Sequence, residues 1–357
     1  MNISNSHQSK TPSELGYYMP AEWRRHAATW LTWPKDPLTW PDRVPQVQEI
    51  YLQMMAALAQ HEIVNLLVDD ENTRQAVTQR CAFDGKENIR FHLVETVDSW
   101  IRDYGPNFII NRERQLAYND WIFNAWGNKY EELKKDDSIP KQLESVLKVH
   151  RFEPGIVLEG GSIDVNGEGC LLTTEQCLLN PNRNPRLNRE QIEDYLRGYL
   201  GVTKILWLHE GIVGDDTDGH IDDIARFVSP GHIICPIEDD PADANYEILQ
   251  DNLKRLEQMT DVCGNKFEIT TLPMPGIVAG SSSGTDRNLE RLPASYANFY
   301  IANVVVLAPI FGHANDRKAL DTLQRVFPDR RVVGINCEPL VWGMGTIHCV
   351  TQQQPVP

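Results

Sequence analysis

Four short stretches of this 357-residue chain mix reactive side chains with glycine. They read DSWIRDYGPNF (98–108), LEGGSIDV (158–165), GDDTDGHIDDIARF (214–227) and, near the end, VWGMGTIHCV (341–350). Each borders a strand-like run, where a rigid scaffold can aim side chains into one cleft. The third packs five aspartates and a histidine into ten residues. His220 and Asp222 are spaced to share one face of a strand. That pair could hold a metal, sit in a solvated Asp-rich turn, or supply a general acid–base histidine with a carboxylate beside it. The loop lacks the further histidines of zinc hydrolases. Gly219 and the missing terminal glutamate also break a calcium-loop pattern.

Cys349 is ambiguous on its own, because a lone free cysteine is more often a small buried apolar group than a nucleophile. Gly343 and Gly345 permit close approach of the chain, and His348 adjoins. Together with a remote histidine, such a cysteine becomes a candidate for covalent catalysis. Glu159 precedes two glycines, yet by itself reads as a surface residue. Asp103 could simply close a turn at Gly105-Pro106, Arg102 could pair with another acid, and Trp100 could be core. One cysteine, one histidine and the acids Asp103, Glu159 and Asp222 exceed what a protease-like triad needs. Crowded carboxylates repel unless a cation joins them. A guanidinium, with five donors in a planar fork, meets that need. The residue types therefore favour a cysteine enzyme acting on a guanidine.

The formal charge of −16, from 50 acidic and 34 basic residues, argues against a nucleic-acid or anionic-membrane partner. It suits a small cationic substrate, or plain solubility. The seven cysteines are odd in number and form no C-x-x-C pair, against a disulfide framework or structural zinc. The polar start, MNISNSHQSKTPSELG, has no apolar signal region. No run is long enough to cross a bilayer, so a cytoplasmic location is expected.

Strand-like runs recur at 62–68, 91–96, 169–174, 204–208, 232–236, 303–309 and 331–335. Helix-like segments at 44–60, 188–201, 243–259 and 316–328 separate several of them. Asn166-Gly167 and Pro230-Gly231 each predict a hairpin. The alternation means an α/β fold, and hairpins within it do not suit a purely parallel doubly wound sheet. Nucleotide-binding glycine motifs are missing. With no low-complexity linker, 1–357 reads as one domain whose first 15 residues form a flexible polar N-terminus.

Taken in order, MPAEWRRHAATWLTWP (19–34), WIRDYGP (100–106), LEGGSI (158–163), TDGHIDDIARF (217–227), LPASYANFYIAN (292–303) and IHCVTQQQP (347–355) resemble the agmatine deiminase family. That family belongs to the guanidine-modifying pentein superfamily. The Porphyromonas-type peptidylarginine deiminases are more distant relatives. The resemblance runs nearly end to end. It implies a five-bladed α/β propeller of ββαβ units with pseudo-fivefold symmetry, although no internal repeat is visible in the sequence.

It further implies that Cys349 attacks the guanidinium carbon. Asp103 and Glu159 would grip the nitrogens, with Trp100 lining the pocket. His220 would act as acid and then base, and Asp222 would hold either the histidine or a guanidinium nitrogen. Asp218 and Gly345 complete the expected substrate contacts. No metal or organic cofactor is implied, and homo-oligomerisation is left open. The expected reaction converts agmatine to N-carbamoylputrescine and ammonia. The alternatives are a free-arginine or peptidylarginine deiminase and a non-catalytic guanidine- or polyamine-binding protein. The Asp-rich loop (Asp215, Asp216, Asp218) and Trp23, Trp30 and Trp33 favour agmatine, whose far end is an amine. The chain departs from the family's glycine-rich run before I-H-C, where Met344 and Thr346 interrupt it. Met344 is expected either to narrow the pocket or to pack behind it.

Overall fold

The computed structural model describes residues 10–276, 279–281 and 289–357. Of the N-terminal stretch expected to be flexible, 1–9 lie outside the described residues, and Ser13–Leu15 form a 3-10 turn.

The valine- and isoleucine-rich runs form the middle and third strands of small sheets, and the same plan recurs five times. A short strand pairs antiparallel with a middle strand, and the middle strand pairs parallel with a third. The sets are Asn107–Asn111 with Leu116–Asn119 and His150–Phe152; Asp164–Val165 with Cys170–Thr174 and Lys204–Leu208; Arg226–Ser229 with His232–Ile237 and Glu268–Pro273; and Tyr300–Ile301 with Val305–Ile310 and Arg331–Asn336. The fifth set joins the two ends of the chain. Gln352–Pro355 pairs antiparallel with His26–Thr32, which runs parallel to Ile63–Val68 and, through it, to Ile89–Leu93. A separate two-stranded sheet joins Ala279–Ser281 to Leu289–Arg291.

Each middle strand must cross over to reach its parallel partner, and such a connection is usually helical. Val44–Leu58, Arg189–Leu200, Tyr246–Gln258 and Asp316–Val326 fill four of these crossovers, and short helical turns fill the fifth. Arg189–Leu200 shows the local logic. Asn188 and Gln191 make a reciprocal capping box, Ile192, Leu196 and Leu200 are buried one turn apart, and Gly201 ends the helix at φ 67°. The expected hairpins at Asn166-Gly167 and Pro230-Gly231 both form. Trp30, Trp40, Tyr51 and Met54 are among the largest fully buried side chains. Trp23, Trp30 and Trp33 pack in or against the core and do not line the main cavity. Their expected part in substrate choice is therefore corrected: large apolar faces are stabilised by burial, and the core takes them. No helix among the described residues is long and apolar enough to cross a membrane.

Candidate active site

A cavity of about 990 Å³ opens beside the C-terminal segment. Trp100, Asp103, Gly345 and Cys349 line it, along with Trp126, Met344 and Trp342. Directly behind this wall lie His220 and Asp222, both essentially fully buried. Gly161 shows how closely the polar groups converge. A methyl carbon built on it would lie 2.6 Å from His220 Nδ1, 2.9 Å from Asp103 Oδ1 and 3.1 Å from Asp222 Oδ2. Only a residue without a side chain leaves that space open.

The two residues of the H-x-D pair do not share a strand face. His220 instead precedes the 3-10 turn Ile221–Asp223. Asp215 makes that turn by accepting from the backbone N–H groups of Thr217, Gly219 and His220. Asp215 is thus scaffolding for the histidine.

Asp103 sits in the short helix Ile101–Tyr104, which begins just after Trp100. Its Oδ1 accepts from Gly161 N at 2.9 Å and its Oδ2 from the Trp126 indole at 2.9 Å. His220 Nδ1 stands 3.8 Å from Oδ1. Burial pushes the Asp103 carboxyl up, and Asp222 and Glu159 add to that, against the pull of His220. Burial alone would lower the His220 imidazole, but Asp103, Cys177 and Asp222 outweigh it and hold it well above the usual histidine range.

The Cys349 thiol receives a hydrogen bond from Asn298 Nδ2 at 3.2 Å and lies 3.8 Å from Asp222 Oδ2. Burial, then Asp222, Asp223 and Asp103, raise its pKa well above that of an ordinary thiol. The C-terminal segment is tied down at several points. Arg102 N donates to the Cys349 carbonyl and Arg102 Nε to the His348 carbonyl, both at 3.2 Å. Just beyond, Gln352–Pro355 is zipped into a sheet.

Glu159 does not reach the cavity wall. One of its oxygens accepts from Arg183 Nε at 2.8 Å, and the other is buried without a partner. Glu159 is not among the cavity-lining residues and Arg183 already holds one of its oxygens, so the expected grip on a substrate nitrogen finds no geometry here. Glu159, Cys177 and a ring nitrogen of His220 instead form one buried group within 4.8 Å. A cation placed there would meet the Arg183 guanidinium.

Asp218 is corrected for a similar reason. It pairs with Arg183, with Lys129 at 3.0 Å and with Asn182 at 3.0 Å, which leaves no free face for substrate. In the same loop Asp216 lines the cavity, bonded to Tyr130.

Three residues outside the expected set complete the site. Trp126 fixes Asp103, packs edge-on against Trp100 at 6.4 Å, and sits at φ 51°, unusual for so large a side chain. Asn298 also accepts from Thr346 Oγ1 at 2.7 Å and from His348 N at 2.9 Å. Trp126 lies in NAWGN, where an aromatic before glycine was the signal, and Asn298 lies within SYANFY. Glu22, in the PAEW motif, is buried and reaches His348. Met344 lines the cavity in a left-handed conformation at φ 72°, a backbone region that favours glycine.

With the geometry in place, comparison with known proteins is informative. The family model for Porphyromonas-type peptidyl-arginine deiminase matches residues 18–355. The chain belongs to that family. The agmatine deiminase of Stutzerimonas stutzeri is 40% identical over 365 residues, covering 98% of each chain. That of Medicago truncatula is 39% identical over 375 residues, 98% of this chain and 99% of its own. The solved agmatine deiminase of Enterococcus faecalis superposes with a TM-score of 0.91 at 36% identity, again covering 98% of each chain. For this family member the glycine before the thiol gives a first prediction. A methyl on Gly345 would lie 2.7 Å from the Trp100 ring and 3.1 Å from Cys349 Sγ. Gly345→Ala is expected to lower kcat/KM about 100-fold, with a small drop in melting temperature, because it pushes the Cys349 sulfur and the Trp100 ring out of place. Steady-state kinetics and a thermal melt check it.

Proposed function

We propose that this chain is an agmatine deiminase that hydrolyses agmatine to N-carbamoylputrescine and ammonia. The observation that carries the reading is a thiol and a carboxylate, Cys349 and Asp103, on the wall of one cavity, with His220 and Asp222 converging on them from directly behind. Asp103 and Asp222 bind the guanidinium nitrogens, and Asp222 Oδ1, buried with no partner, is free to accept one. Trp100 and Trp126 flank the flat cation, where a ring face attracts positive charge.

As the cation binds, the Cys349 thiol gives up its proton to solvent, and the thiolate adds to the guanidinium carbon. His220 then protonates the departing nitrogen, and ammonia leaves an amidino-thioether on the enzyme. His220, now neutral, takes a proton from water as the hydroxyl adds to the same carbon. Collapse breaks the C–S bond, releases the ureido product and returns the proton to the site. Glu159, behind His220, adds negative charge that favours the protonated imidazole.

The cavity also bears on substrate choice. Its lining cations among the described residues are Lys35 and Lys129, and each is already ion-paired with aspartate. The α-carboxylate of free arginine has no evident partner there, whereas Asp36 and Glu95 offer acids for an amine. The five sheets are taken as blades of a pseudo-fivefold propeller around the cavity. The sheet shared by the first and last segments supports that closure. Residues 18–355 act as one cytoplasmic catalytic unit in this reading.

Incubation with agmatine, free arginine and a blocked arginyl peptide, measuring ammonia and ureido product, tests the proposal. Agmatine should give the highest kcat/KM by at least about 100-fold. Equal or greater turnover of either arginine compound would overturn it.

A second prediction concerns the thiol. Ionised carboxylates oppose thiolate formation, so the empty enzyme holds Cys349 protonated at neutral pH. A bound cation offsets those charges, and the thiol pKa should then fall. Thiolate absorbance, taken as wild type minus Cys349→Ala across pH, should move to lower pH by about one unit or more when putrescine is bound. An unmoved titration would rule out substrate-assisted activation.

A further inference from the structure

We infer that His348 is a positioning residue: a buried imidazolium, protonated on both nitrogens, that orients Asp222 for the guanidinium and places positive charge beside the thiol. The inference rests on the reading above for the role of Asp222, but its geometry stands alone. His348 Nδ1 lies 2.7 Å from Asp222 Oδ2 and Nε2 lies 2.8 Å from Glu22 Oε2. All three side chains are at most 3% exposed. An ionised carboxylate only accepts hydrogen bonds, so both ring nitrogens must donate. A neutral imidazole would turn a lone pair onto one carboxylate in a buried site, which is costly.

Burial pushes both carboxyls up; apart from His348, Arg226 and Arg102 pull Glu22 down, and His220 and Arg226 pull Asp222 down. The charges facing His348 come from five elements. Asp222 comes from the 3-10 turn, Glu22 from the loop before His26–Thr32, and Arg102 from Ile101–Tyr104. Arg226 and Asp164, from two edge strands, close the set. Three carboxylates (Glu22, Asp164, Asp222) thus meet two guanidiniums (Arg102, Arg226), and the imidazolium supplies the third positive charge. Buried charges persist only when they are paired in this way.

The consequence lies at the reacting atoms. Because His348 occupies Asp222 Oδ2, the other oxygen is left unpartnered for a guanidinium N–H. The same hydrogen bond draws negative charge away from the oxygen 3.8 Å from Cys349 Sγ. His348 also precedes the nucleophile in sequence, and Arg102 ties this peptide segment to the helix that carries Asp103.

The test uses the intact enzyme. Histidine-selective nitrogen-15 NMR of the resting wild type should show one imidazole, absent in His348→Asn, with both nitrogens protonated at pH 7. A neutral His348 at that pH would overturn the inference, whether or not agmatine is the substrate. Kinetically, His348→Asn keeps a donor at the Nδ1 position toward Asp222 but loses the charge. Its kcat/KM for the wild type's best guanidine should fall about 100-fold. Its thiolate titration should also move to higher pH, which mere loosening of the fold would not produce. Wild-type kinetics with an unmoved titration would equally overturn it. Should His348→Asn fail to fold, His348→Gln, which keeps the donor toward Glu22, supplies the assignment and the NMR measurement still decides.

Discussion

Cys349→Ala should release ammonia from agmatine about 10⁵-fold more slowly than the wild type, because removal of a covalent nucleophile leaves only positioning and electrostatics. The thiol stands on the cavity wall and is 7% exposed. Its loss should therefore shift stability by no more than about 1 kcal/mol. Agmatine should still raise the melting temperature of this variant by mass action, since Asp103, Asp222 and the indoles remain. Continuous ammonia assay and thermal melts with and without agmatine separate the two outcomes. Near-normal turnover would take Cys349 out of the mechanism, and loss of the agmatine-dependent shift would mean that the variant no longer forms the site.

Asp103→Asn is expected to be the next most damaging change, lowering kcat/KM about 10³-fold. Two effects add. The substitution removes the negative partner of a permanent, desolvated cation, worth about 4 kcal/mol for a buried hydrogen-bonded pair. Asp103 also accepts from two fixed donors, Gly161 N and Trp126 Nε1. A carboxamide has one acceptor oxygen, so its NH₂ must face one of those donors. The Trp126 ring should then reorient, which its fluorescence would report. A change confined to KM would mean that Asp103 binds ground state and transition state alike. A rate within tenfold of the wild type would remove it from the guanidinium site.

The elements most legible in the sequence were those with strong local signals. Lys204–Leu208 is fixed by its apolar run, and Arg189–Leu200 by its cap and its i, i+4 apolar stripe. Gln352–Pro355 has no such signal, being mostly amides, and becomes a strand only because His26–Thr32 offers its edge. The fivefold sheet plan was also invisible, since each unit repeats a pairing pattern while its side chains differ. At the site, cysteine, histidine and the surplus of acids indicated a cationic guanidine from residue chemistry alone. Which acid faces the cavity could not be read the same way. Glu159 and Asp218 looked as available as Asp103 until Arg183 and Lys129 were seen to occupy them.

Residue types and their order along the chain were enough to single out Cys349 and His220 as candidates and to suggest the charge of what they would act on, because those properties belong to individual side chains. Partnership was decided only by the folded chain. Arg183 reaches Glu159 across 24 residues, and His348 reaches Glu22 across 326. A buried carboxylate is a ligand or a strut according to which donor meets it first, and donors so distant in sequence are brought together only by packing.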